Sequence, residues 1–383
     1  MTLVAQQPPA ATSAKASADK GVASAMYVYV GTYTSEKSQG IYRLRLDAAT
    51  GTLSTPELAA TVTNPSFLAL DPGKTHLYSV NETGKFNDKP TGSVSAFALD
   101  AVSGALTLIN QESSGGNGPA HLSVDRAGKA VLVANYGGGS VASLPIGAGG
   151  RLEPAASVIV HQGSSVHPKR QTKPYGHSIN MDPSNTFAYA ADLGADRIFI
   201  YRLDHKTSAL TPAAPPSVAL TPGSGPRHMS FHPGGTYAYV INELALTVTV
   251  FSRDAKTGAL TEVQTISTLP AGVEAVPAFS TAEVVVHPSG KFLYGSNRGH
   301  DSLVVYAIDQ ATGRLTLVQH ESTQGSTPRG FGIDPTGRYL LAGNQRSDSL
   351  VPFRIDAGTG RLTSTGQTIK IGSPVSVVFV PVR

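Results

Sequence analysis

Cysteine is absent from the chain, which excludes disulfides, thiolate metal sites and thiol nucleophiles together. No stretch approaches the roughly 18 consecutive apolar residues of a membrane-spanning helix. The 30 Lys and Arg exceed the 26 Asp and Glu but are scattered, so a formal charge of +4 makes no basic tract for nucleic acid. Four sequence signatures are also missing: a Gly-x-Ser-x-Gly elbow, a His-Glu-x-x-His pair, a Walker loop and a Cys pair. What chemistry remains is non-covalent acid-base and electrostatic work.

Residues 1–25 contain no aromatic side chain and are rich in Ala, Ser, Pro and Gln. They cannot bury enough surface to offset the entropy of ordering and are expected to form a disordered tail. Ala23-Ser24-Ala25 resembles a signal-peptidase site, but Lys15, Asp19 and Lys20 interrupt the apolar segment that an export signal needs. The expected location is cytoplasmic; the alternative is export, periplasmic or secreted, with the signal already removed.

What is present is glycine, proline and repetition. Forty glycines and 26 prolines between β-branched runs favour short strands and tight turns over helices. A turn of the form Asp-x-x-Thr-Gly-x-Leu begins at Asp47, Asp100, Asp204, Asp254, Asp309 and Asp356, with Ser in place of Thr at 103 and in place of Gly at 208. A worn copy at Gly149-Gly150-Arg151-Leu152 fills the gap, and the repeat recurs about every 50 residues. Asp and Thr bond to the turn backbone while Gly accepts positive φ, so the signature has a mechanical cause. A second landmark, Asp71, Asp125, Asp182, His232, His287 and Asp334, follows an alternating strand, and ten residues beyond each stand Asn81, Asn135, Asp192, Asn242, Asn297 and Asn344. These polar ends are expected to cap strands.

Each unit therefore reads as four antiparallel strands, and the chain as an all-β, seven-bladed β-propeller over residues 26–383. The first unit begins with a second strand, Tyr27 to Gly31, while Pro374 to Val380 is a first strand with nothing after it. The last strand is expected to complete the first blade and leave no open edge.

A repeat asks for the same residue at equivalent places, so departures from sameness locate chemistry. Five residues before the Asp/His landmark stand Ser66, Ala120, His177, Arg227, Ala282 and Arg329; one place further stand Phe67, His121, Ser178, His228, Glu283 and Gly330. Folding each hairpin brings Glu82, Tyr136, Leu193, Glu243, Arg298 and Gln345 to the same rim. His177, Arg227, Glu243 and Arg298 are the candidate catalytic group, and Arg329, His228, Glu283 and His121 the candidates for substrate contact. Strand alternation turns His121 and His228 to the other face, where packing is the expected role in place of catalysis. Guanidinium groups pair bidentately with phosphate or carboxylate, and a His beside a Glu moves protons near neutral pH. The rim carries more cations than carboxylates, which argues against a metal site, and no cofactor is expected.

GPRHMSFHP (Gly225–Pro233), VINE (Val240–Glu243), PYGHSINMDP (Pro174–Pro183) and TPRGFGIDPTGRYL (Thr327–Leu340) resemble the seven-bladed lactonase family. That family holds propeller-type bacterial 6-phosphogluconolactonases and fungal carboxy-muconate cyclases. The resemblance implies a lactonase, acting on a small anionic lactone such as 6-phosphogluconolactone, with His177, Arg227, Glu243 and Arg298 as its site. A muconate-lactonizing cyclase and a non-catalytic binding propeller are the alternative readings; neither the oligomeric state nor the choice of base between His177 and Glu243 follows from the residues.

Overall fold

Seven antiparallel sheets, one per repeat, surround a central channel in a computed structural model that describes residues 25–382. The expected tail thus lies outside the described residues except for Ala25, which opens the first strand, Ala25–Thr32. That strand pairs with Gly40–Asp47 on one side and with Pro374–Pro381 on the other, so both termini of the ring share one blade. Six blades have four strands; in the seventh the outermost strand is broken into Leu362–Ser364 and Ile369–Lys370, both paired with Ser349–Ile355. Among the described residues the helical content is a single turn, Ala148–Gly150, at the worn copy of the Thr-Gly motif. No described helix is long and apolar enough to cross a membrane.

The repeat signatures do the work their chemistry suggests. Asp47 Oδ1 accepts from the backbone N–H of Ala49 and Thr50 and from the Thr50 hydroxyl, and Gly51 takes a φ of +81° that L side chains rarely adopt. Asp125, Asp182 and Asp334 each accept two backbone N–H groups four and five residues on. His232 and His287 replace that carboxylate and donate from Nε2 to the carbonyls of Gly290 and Gly337 in the next blade. The Asn column ties each second strand to neighbouring chain: Asn135, Asn297 and Asn344 donate to the carbonyls of Ser114, Thr268 and Thr323.

Adjacent blades are fastened by apolar packing and by a recurrent polar clasp. Tyr29, Tyr78, Tyr189, Tyr239 and Tyr294 are fully buried, and each hydroxyl donates to a glycine carbonyl of the next Thr-Gly turn, at Gly104, Gly150, Gly258, Gly313 and Gly360. The worn copy therefore occupies the same structural place as the clean ones. Tyr294→Phe is expected to leave the Gly360 carbonyl without its donor and to lower stability by about 1–2 kcal/mol. Urea denaturation with the midpoint read by fluorescence checks it; an unchanged midpoint would show the clasp to be energetically neutral.

Candidate functional site

The level of the channel mouth is set by one backbone irregularity repeated around the ring. Pairing of the two inner strands slips between Pro119 and His121, Gly176 and Ser178, Pro226 and His228, Thr281 and Val284, and Pro328 and Gly330. Such β-bulges insert an unpaired residue and re-aim its side chain. His177, Arg227 and Arg329 are three of these inserted residues, with Ala120 and Ala282 at the equivalent places. In four of these hairpins the mouth is closed by a matching bond, as from Glu243 N–H to the Gly225 carbonyl at 2.7 Å. Upstream, Asp196 holds the loop before Arg227 by accepting from Gly223 and Gly225, each at 2.6 Å.

Glu243 is the centre of the upper layer and is 3% exposed. Its Oε2 accepts from Arg227 Nε at 3.0 Å and pairs with Arg298 at 3.0 Å; its Oε1 accepts from Arg170 at 2.5 Å. Arg227 also donates to the Ala282 carbonyl at 2.7 Å, and Arg298 to that of Thr281 at 2.7 Å. Burial pushes the Glu243 carboxyl up, but Arg298, Arg227 and Arg170 outweigh it and hold the group at about 2. Burial, with Arg298 and Arg329 nearby, lowers Arg227 to about 9, so it is still a cation at neutral pH. His177 Nε2 lies 3.9 Å from Glu243 Oε2, while its buried Nδ1 has no hydrogen-bond partner. Burial, seconded by Arg227, lowers His177 well below the usual imidazole value and keeps the ring neutral.

Across the same mouth Arg329 donates to the Tyr33 hydroxyl at 2.8 Å, and Tyr33 and Ser66 both donate to Glu82 Oε2 at 2.6 Å. Beneath both groups lies a floor made of Phe67, His121, His228 and Glu283, from four blades. The His121 and His228 rings are 5.2 Å apart, Phe67 packs tilted against His121 at 4.2 Å, and His228 Nδ1 lies 2.8 Å from Glu283 Oε1.

All eight candidates thus converge on the axis, in two layers. The expected placing of His121 and His228 on another face of their strands is corrected: the bulge shifts the alternation, so Arg227 and His228, though consecutive, both reach the channel. Arg170 was not foreseen. It belongs to the connection between Leu152 and Asp182, the longest in the repeat, where buried Gln171 bonds back to His167 and Ser165 and across to the Leu193 carbonyl. That excess length and its His-Pro-Lys-Arg run were the available signals. Tyr33 was hidden because the first blade carries no Asn landmark from which to count.

Among the described residues no group of three or more His, Cys, Asp or Glu side chains is placed to hold a metal ion. A cavity of about 650 Å³ between the first two blades is larger than the axial mouth, yet Lys85 is the one charged group in its lining, so it lacks paired acid-base groups.

The family model for the seven-bladed β-propeller lactonases matches residues 27–379. The chain belongs to this lactonase family. It is 38% identical to the 6-phosphogluconolactonase of Bacillus subtilis over 306 residues, covering 80% of this chain and 84% of that protein. It is 33% identical to the 6-phosphogluconolactonase of Formosa agariphila over 313 residues, 80% and 86% of the two chains. The solved periplasmic gluconolactonase of Pseudomonas aeruginosa superposes with a TM-score of 0.88 at 37% identity, covering 94% of this lactonase-family chain and 100% of that one. Membership of the family is thus compatible with either of the two compartments considered for this chain.

Proposed function

We propose that this chain is a carboxylic ester hydrolase that opens an anionic sugar lactone, 6-phosphogluconolactone in the first instance. The observation that carries the reading is the composition of the mouth: a neutral histidine with an unpartnered nitrogen beside a carboxylate ringed by three guanidinium groups. The names of the relatives, lactonases for a phosphorylated and an unphosphorylated sugar acid, support the same chemistry.

A lactone carbonyl needs a water deprotonated as it attacks, a counter-charge for the oxyanion, and a proton for the ring oxygen as it leaves. Glu243 is a poor base because its charge is already satisfied by Arg227, Arg298 and Arg170. His177 is the better base: neutral, it can take the proton from water and return it to the leaving alkoxide. Glu243, 3.9 Å away, stabilises the imidazolium formed between those two steps. Arg227, held rigid by Glu243 and the Ala282 carbonyl, offers its remaining N–H groups to the oxyanion. The products are the free hydroxyl and a carboxylate, with one proton released.

The phosphate falls to Arg170 and Arg298, with Arg329 opposite. Arg170 is the accessible member, its side chain 39% exposed against 13% for Arg298 and 2% for Arg227. Arg170→Ala is expected to raise KM for 6-phosphogluconolactone about tenfold, the equivalent of ~1.4 kcal/mol, and to change KM for unphosphorylated gluconolactone less than twofold. Steady-state hydrolysis of both substrates by the purified variant checks it. Equal effects on the two would remove Arg170 from the phosphate site.

A further inference from the structure

The floor of the mouth is also a partition. Above it a small cleft is bounded by Arg227, His228, Arg329 and Glu82; below it a separate cavity of about 400 Å³ opens toward the Asp-Pro turns and is lined by Glu283, Val285, Phe331, Ile333 and Phe379. His228 and Glu283 face these opposite compartments and are joined through the partition by the 2.8 Å hydrogen bond. Both are more than nine-tenths buried, and His228 Nε2 has no hydrogen-bond partner. Glu283 Oε1 also accepts from the Val284 N–H at 3.0 Å, which fixes the carboxyl plane against the bulge.

We propose that Glu283 is a positioning residue that sets the tautomer of His228, and so decides whether the floor offers a proton acceptor or a donor to the bound lactone. An ionised Glu283 requires the proton on Nδ1 of His228, leaving Nε2 as a bare acceptor in the mouth. When the pair takes up one more proton, the Nδ1 proton passes along the 2.8 Å bond to Glu283, which then donates to Nδ1, and the added proton rests on Nε2. One proton gained or lost by the pair therefore inverts the hydrogen-bonding sense of Nε2 in the mouth, without movement of either side chain. The charges around the pair favour a neutral imidazole in both states. Arg227 and His121 face Glu283, and Lys74 lines its cavity; Arg227, Arg329, Arg298 and Glu243 act on His228, with the His177 and His121 rings beside it. Burial is the main cause that raises Glu283 to about 7, opposed by Arg227, and it lowers His228 well below the usual value.

The kinetic consequence rests on the hydrolytic reading above; the tautomer does not. Full-length protein with ¹⁵N-labelled histidine, the His228 signals assigned by their loss in His228→Asn, is titrated from pH 5.5 to 8.5. The expected result is conversion of His228 from the Nε2–H to the Nδ1–H form as pH rises, and no conversion in Glu283→Gln. In parallel, kcat/KM for the lactone is expected to change about tenfold across this range in the parent and less than twofold in Glu283→Gln. Glu283→Asp, which keeps a titratable carboxyl, is expected to retain a displaced transition, and thermal melting of each variant reports whether it is folded. A His228 tautomer that stays the same across the range in the parent overturns the proposal whatever the lactone assay gives. So does a transition that survives in folded Glu283→Gln. A tautomer change in a protein that hydrolyses no lactone supports the coupling and removes the hydrolytic reading instead.

Discussion

Glu243→Gln is expected to abolish most activity, by about a thousandfold in kcat/KM, and to lower stability by roughly 3–5 kcal/mol. The substitution preserves size but leaves Arg227, Arg298 and Arg170 around a neutral amide, so three cations lose the charge that holds them together. The guanidinium groups then repel one another, and the one facing the oxyanion loses its fixed position. The pH dependence gives a signature beyond the loss itself. The Glu243 carboxyl is held at about 2 in the fold, below its ordinary 4.5, because Arg298, Arg227 and Arg170 outweigh burial. A depressed acid stabilises the fold fully above its unfolded value and loses that contribution as pH falls from about 4.5 toward 2. Parent and variant unfolding curves are therefore expected to differ most above pH 5 and to converge only as pH falls to about 2. Denaturant titrations at several pH values check this, and parallel curves would show that Glu243 acts by packing and not by charge.

Arg227→Ala is expected to cut kcat by about 10²–10³, or ~2.7–4 kcal/mol of transition-state stabilisation, with little change in KM. Arg227→Lys is expected to recover less than a tenth of that loss. The native side chain uses Nε on Glu243 and Nη1 on the Ala282 carbonyl, a fork that a single ammonium cannot reproduce. Glu243 keeps Arg298 and Arg170 in the variant, so the effect on folding is smaller than for Glu243→Gln. Pre-steady-state hydrolysis separates the chemical step from product release; a kcat within threefold of the parent would take Arg227 out of the oxyanion role.

How much of this was readable in advance depended on what the repeat exposes. The blades were legible because the same turn chemistry recurs at Asp47, Asp254 and Asp309 and the same cap at Asn135, Asn297 and Asn344. The closing strand was legible because Pro374 to Val380 copies Pro65 to Asp71 and no second strand follows it in the sequence. The bulges were not. Every inner strand that carries one carries it at the same place, so the spacing from Arg227 to His232 matches that from His177 to Asp182 and betrays no extra residue. Simple alternation then turned His228 away from the axis that it reaches. Arg170 escaped for the opposite reason: its loop has no counterpart in the other blades, and comparison between copies is silent about a segment that exists once. Tyr33 and Glu82 show a third limit, since their link to Arg329 joins blades that only ring closure brings together.

The seam between Ala25–Thr32 and Pro374–Pro381 also fixes a timetable. During synthesis the earliest strands wait with an uncovered inner border while the other six blades are made, and the ring locks when the final strand has left the ribosome. Nascent chains stalled short of Pro374 should accordingly hold folded sectors without a sealed circle, and be sensitive to proteases at the first sector above all.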